Sequence, residues 1–159
     1  EVGKDAIVKA GASTMIADGG KMKVYEKDIR ITPFEMNGTL YVPEAAFLNI
    51  MGDGRSKSVY NYKNNMIKIR HYDMNEELTE VINSSFAYTT LDSLDAKVGG
   101  KAITLKAPII AANGLIYVPL TFIEDAYGYK VKNHGNGIYS VSKDGILDET
   151  VNAVSAHLN

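Results

Sequence analysis

The 159-residue sequence has no cysteine and no tryptophan, and only four prolines and four phenylalanines. Without thiols there are no disulfides, thiolate nucleophiles, zinc ribbons or iron–sulfur clusters. Without tryptophan, any stacking on flat ligand faces falls to the smaller aromatic rings. No apolar run approaches the ~20 residues that a membrane-spanning helix needs, so membrane insertion is not expected. A surplus of either charge is missing as well: 17 Lys and Arg stand against 19 Asp and Glu, a formal net charge of −2. Such a chain has no overall field to attract nucleic acid. Glu1 stands where a complete chain has Met, which reads as a processed or trimmed segment of something longer.

What is present describes a folded domain. Apolar residues make up 45% and charged residues 23%, a balance that buries a core, and the length suits one domain or two very small ones. Ten Tyr and 14 Gly, with many Asn, point to strands and tight turns. Tyr suits a half-buried pleated surface, while Asn and Gly tolerate positive φ.

The chain also repeats itself. Met36-Asn37-Gly38-Thr39-Leu40-Tyr41-Val42-Pro43 recurs as Ala112-Asn113-Gly114-Leu115-Ile116-Tyr117-Val118-Pro119, an offset of 76 from Pro43 to Pro119. Phe47 and Gly52 recur as Ile123 and Gly128 at that offset. Upstream, Val24, Ile29 and Ile31 match Val98, Ile103 and Leu105 at an offset of 74; downstream, Val59, Asn61 and Ile69 match Val131, Asn133 and Val141 at 72.

Each copy has the same physical reading. A strand from Val24 to Ile31 meets Asn37-Gly38, a pair suited to a two-residue hairpin turn, and returns through Thr39 to Val42. Pro43 then fits a first helical position and Gly52 a left-handed stop, with Pro119 and Gly128 doing the same in the second copy. Ala46, Phe47, Ile50 and Met51 form one apolar helix face, as do Leu120, Ile123, Ala126 and Tyr127. Hairpins around Asn64-Asn65 and Asn136-Gly137 close the copies. The expected class is α+β: two tandem modules, each an antiparallel sheet packed on one short helix. Module 1 covers residues 1–72, a connector 73–84 and module 2 residues 85–143, with 144–159 a C-terminal helix or a linker to a neighbouring domain. Glu76 to Ile82 fits either a helix or the first strand of copy two. A unit of roughly 75 residues is marginal alone, so the copies are expected to pack together.

This arrangement, a strand such as Val98-Gly99-Gly100-Lys101-Ala102-Ile103-Thr104-Leu105, then Pro, then Asn-Gly, then an apolar Tyr-Val-Pro strand end running into a short helix closed by Gly, resembles the copper amine oxidase N-terminal-like module. The resemblance covers both copies. It implies a non-catalytic, stalk-type domain, often in tandem, in secreted or cell-surface proteins of Gram-positive bacteria, beside wall-anchoring domains and polysaccharide-degrading enzymes. It implies no copper and no other cofactor, because the family's module is remote from the oxidase's metal centre.

No constellation of residues argues for chemistry of its own. His71, His134 and His157 have no spacing that gathers ligands, so no metal is expected. Gly52-Asp53-Gly54-Arg55-Ser56-Lys57-Ser58 lacks the phosphate-loop spacing and follows a helix instead of a strand. Carboxylate pairs such as Glu76 with Glu80, or Glu124 with Asp125, come with no sign of a cleft. No serine sits in a nucleophile elbow, and no catalytic residue is assigned. The tyrosines remain. Tyr60 and Tyr62 share one face of an expected strand with Tyr72 near the end of its partner, and Tyr127 and Tyr129 flank Gly128. These five are the candidate ligand-binding residues, through ring faces that stack on sugars; the alternative is that they are strand residues half-buried against a helix. The expected function is a non-catalytic extracellular module that positions a larger protein at a polysaccharide or cell wall. The alternative is a structural stalk or protein-interaction spacer with no glycan ligand.

Overall fold

The computed structural model describes residues 5–10, 14–18, 21–24, 32–51, 57–61, 63–74, 81–112 and 114–142. Its first half runs β1 (Asp5–Lys9), β2 (Thr14–Asp18), β3 (Lys21–Val24), β4 (Phe34–Met36), β5 (Thr39–Pro43), α1 (Glu44–Met51), β6 (Lys57–Asn61) and β7 (Met66–Met74). Its second half has the same element order: β8 (Val81–Thr90), β9 (Asp95–Val98), β10 (Lys101–Thr104), β11 (Ile110–Ala112), β12 (Leu115–Pro119), α2 (Thr121–Tyr127), β13 (Lys130–Gly135) and β14 (Ile138–Ser142). This is a sheet-rich α+β fold with antiparallel sheets.

The strands form three sheets, each drawing on both halves of the chain. Sheet I is ordered β13-β14-β1-β2-β3, sheet II β11-β12-β5-β4 and sheet III β10-β9-β8-β7-β6. Shifting every strand of sheet III by seven places reproduces sheet I in reverse order. The junctions between halves are β14 with β1, β12 with β5 and β7 with β8, all antiparallel. Two self-contained modules, each with its own sheet, is therefore not how the strands pair: β1 to β3 complete a sheet with the last hairpin of the chain, and β8 to β10 complete one with β6 and β7. Of the expected connector 73–84, Asp73 and Met74 end β7 and residues 81–84 belong to β8. Residues 75–80 of it, Gly52 to Ser56 and the stretch 143–159 lie outside the described residues. The upstream sequence match also shifts, because Val24 ends β3 whereas Val98 ends β9; strand order equates β3 with β10.

Local chemistry explains the elements. Asn37 and Gly38 have φ of 54° and 77°, and Asn136 and Gly137 55° and 76°, the double positive φ of a tight hairpin turn that only Asn and Gly adopt cheaply. Pro43 and Pro119 do not start helices as expected; each closes a strand. The second helix starts at Thr121, one residue beyond Leu120. Gly128 does end it in the left-handed region, φ 72°, with its N–H donating toward Glu124 and Ile123 carbonyls. Lys106 meets the acidic pair of this helix: its Nζ lies 3.3 Å from Glu124 and 3.9 Å from Asp125, and its backbone N–H donates to Asp125 at 2.9 Å.

One apolar cluster joins the halves, with Val8, Leu40, Val42, Phe47, Ile67, Ile69, Val118, Phe122, Ile123 and Val141 among its buried members. Phe47 of α1 meets Phe122 of α2 edge-on at 5.8 Å. Phe34 packs on both motif tyrosines, stacked on Tyr41 at 5.7 Å and edge-on to Tyr117 at 4.8 Å. Tyr41 and Tyr117 are both 1% exposed, as suits packing residues.

Candidate functional site

Sheet III presents an open face. Along β7, Ile67 and Ile69 point into the core while Met66, Lys68 and Arg70 alternate away from it. Along β8, Ala87 and Thr89 are buried while Phe86 and Tyr88 alternate outward, Tyr88 being 39% exposed. Register sets Lys68 opposite Tyr88 and Arg70 opposite Phe86. On the next strand Lys97 lies opposite Tyr88, and Ala102 of β10 opposite Lys97. Three strands thus bring cations and aromatic rings onto one surface.

The side chains interlock. Phe86 and Tyr88 lie nearly parallel, centroids 6.2 Å apart. Lys68 Nζ sits 4.6 Å from the Phe86 centroid and 5.9 Å from that of Tyr88, and the Arg70 guanidinium carbon 4.5 Å from Phe86. A groove of about 810 Å³ runs beside this cluster, with Met66, Tyr88, Ser93, Lys97, Ala102 and Thr104 on its walls. Backbone-directed bonds fix its end: Thr89 Oγ1 donates to the Asp95 carbonyl at 2.8 Å, and the Asp95 N–H donates to Ser93 Oγ at 3.0 Å. The Leu91 N–H donates to the Asn65 carbonyl at 2.9 Å, tying the β8 end to the β6–β7 turn.

Sheet I, with the corresponding strand order, differs among its described residues. There the positions matching Lys68 and Arg70 are Ser140 and Ser142, 3% and 2% exposed, and Ile7 opposite Ser140 is fully buried. His134 Nε2 lies 2.8 Å from Ser140 Oγ.

Of the five tyrosines singled out from sequence, Tyr127 and Tyr129 have described side chains. Tyr129 is 5% exposed within the core cluster. Tyr127 is half-buried, its ring edge-on to Phe122 at 6.2 Å. Tyr60 lies on β6 opposite Ile67, and Tyr72 on β7 opposite Ser84; their side chains, and all of Tyr62, lie outside the described residues. The outward-facing pair of half-buried Phe86 and exposed Tyr88 was missed, although the alternation Phe86-Ala87-Tyr88-Thr89 is a strand signal.

Among the described residues no group of three or more His, Cys, Asp and Glu side chains gathers that could hold a metal. Those residues therefore do not fit a copper centre. Nor is any described helix long and apolar enough to cross a membrane.

Fold and surface together define a sheet-built accessory module with an exposed aromatic and cationic face. The chain belongs to the copper amine oxidase N-terminal domain family, whose model matches residues 21–139. In copper amine oxidases this domain is a non-catalytic accessory. No curated protein and no solved structure matches the chain significantly.

Proposed function

We propose that the chain is a non-catalytic module of a larger secreted or cell-surface protein, built from two exchanged copies of one unit, and that it holds that protein at a polysaccharide or cell wall through the outer face of sheet III. The observation that carries this is Tyr88: a large ring 39% exposed beside a groove of about 810 Å³. Sugar rings stack on such a face, and the phenol adds a polar handle. Ser93, Lys97 and Thr104 in the same groove supply hydrogen-bonding groups that fix orientation.

Retention of the purified chain on wall and plant polysaccharides, measured by affinity electrophoresis with Tyr88→Ala alongside, tests the reading. Retention lost in the variant is expected. A native chain that no polysaccharide retains leaves the spacer reading standing.

A further inference from the structure

The face that carries the proposed glycan contact is also cationic, and its cation Lys68 lies over aromatic rings. A carboxylate partner positions a cation and cancels its charge, whereas an aromatic face positions it and leaves the charge in place. Lys68, 4.6 Å from Phe86, is in the second situation. Lys97 stands across Tyr88 on β9, opposite Ala102. Among the described residues neither Lys68 nor Lys97 forms an ion pair with a carboxylate. Asp95 shares the described part of this face but sits at its end, opposite Thr104. A locally positive surface on a chain of net charge −2 runs against the overall sign, and sheet I has buried serines at the positions matching Lys68 and Arg70.

We infer that the ligand of this face is an acidic polysaccharide of the uronate type, with a sugar ring on Tyr88 and carboxylates paired to Lys68 and Lys97; this rests on the glycan-binding reading above. The row Lys68, Tyr88, Lys97 crosses three neighbouring strands, so the backbones that carry the two lysines stand about 10 Å apart, twice the strand spacing and about the length of a disaccharide. Successive acidic sugars fit that spacing. Single-stranded nucleic acid fits less well, because it binds along a series of open rings. Here Phe86 is engaged by Lys68 and Arg70 at 4.6 and 4.5 Å, while Lys68 stands farther from Tyr88, at 5.9 Å, so Tyr88 is the more open ring of the pair.

The test compares polygalacturonate, its fully methyl-esterified form and poly(dT) as probes for the full chain. The ester keeps the sugar backbone and removes the charge. The native chain is expected to bind polygalacturonate about tenfold more tightly than the ester, since two exposed ion pairs supply that much at low salt. Added salt is expected to erase the difference. Lys68→Gln with Lys97→Gln is expected to equalise the two polymers, while Tyr88→Ala weakens both. Equal binding of acid and ester by the native chain overturns the acidic-ligand inference and leaves glycan binding intact. Binding to neither polymer, nor to any other polysaccharide, removes both. Tighter binding of poly(dT) than of polygalacturonate also overturns the inference. The two lysines lie outside the apolar core, so an unchanged melting temperature certifies the double variant as folded.

Discussion

Val42 lies directly opposite Val118, the residue 76 places on that occupies the same position in the repeated motif. The flanking pairs are Tyr41 with Pro119 and Pro43 with Tyr117, so exchanging the two motifs maps the ladder onto itself. That register places a local two-fold axis at the middle of sheet II. Both valines are fully buried. Truncating either to Ala is expected to destabilise the fold by about 2 kcal/mol, from lost apolar contact plus the cavity left behind. Because the two face each other, the double variant is expected to depart from additivity by about 0.5 kcal/mol or more. Urea denaturation of the four proteins of the cycle measures this, and strict additivity overturns the direct packing of the pair.

Tyr139 ties β14 to β4 by donating its phenol hydrogen to Glu35 Oε2 at 2.7 Å, while Asn133 Nδ2 donates to the same phenol oxygen at 3.3 Å. Burial first, then the hydrogen bond to Glu35 and the negative charge of Glu35, push the phenol up to about 12. The unfolded phenol ionises near 10. Between these values the unfolded chain releases a proton that the folded chain keeps, so stability is intact below pH 10 and falls as pH rises from about 10 toward 12. Tyr41, also raised by burial and then by Asp92, acts in the same direction. Tyr139→Phe is expected to flatten part of this alkaline loss, measured by chemical denaturation between pH 8 and 11; an unchanged slope removes Tyr139 from the account.

The legible parts of the fold were those set by one or two residues. Asn37-Gly38 and Asn136-Gly137 specify their turns because few other residues accept two successive positive φ values, and Gly128 marks a helix end for the same reason. Strand partnership was not legible. Ala6 pairs with Val141 and Arg70 with Phe86, and nothing in the local pattern of β1 says whether its partner is the next hairpin or the last. The open face of sheet III was hidden by the same problem. Alternation shows that Phe86 and Tyr88 share one side of a strand, but which side stays open depends on how whole sheets stack. Tyr129 shows the converse: just ahead of β13, its ring is part of the core cluster.

Two glycines separate backbone strain from crowding. A Cβ at Gly128, φ 72°, meets nothing within 4 Å, so Gly128→Ala pays only for the left-handed conformation, about 1 kcal/mol. Asn, which tolerates that region, is expected to cost less. At Gly137, φ 76°, a Cβ comes within 3.1 Å of Ala10 Cβ, beside the bond from the Ala10 N–H to the Gly137 carbonyl at 2.8 Å. Gly137→Ala is therefore expected to cost more than Gly128→Ala, and melting temperatures of the two variants decide it.

Lys106 and Asp125 separate an exposed ion pair from a backbone bond. The Lys106 side chain is 61% exposed where it reaches Glu124 and Asp125. Solvent screens such a pair, so Lys106→Ala is expected to cost under about 1 kcal/mol and to cost less at high salt. Asp125 does more, because its Oδ2 accepts the Lys106 backbone N–H at 2.9 Å and holds the loop before β11 against α2. Asp125→Ala leaves that N–H to water and loosens the loop, and is expected to cost about 1–2 kcal/mol with little dependence on salt, because a charge-assisted bond to the backbone does not rely on a distant partner. Denaturation of both variants at 0.05 and 1 M salt measures the contrast. If the two show equal losses with equal salt sensitivity, the backbone bond contributes nothing beyond the ion pair.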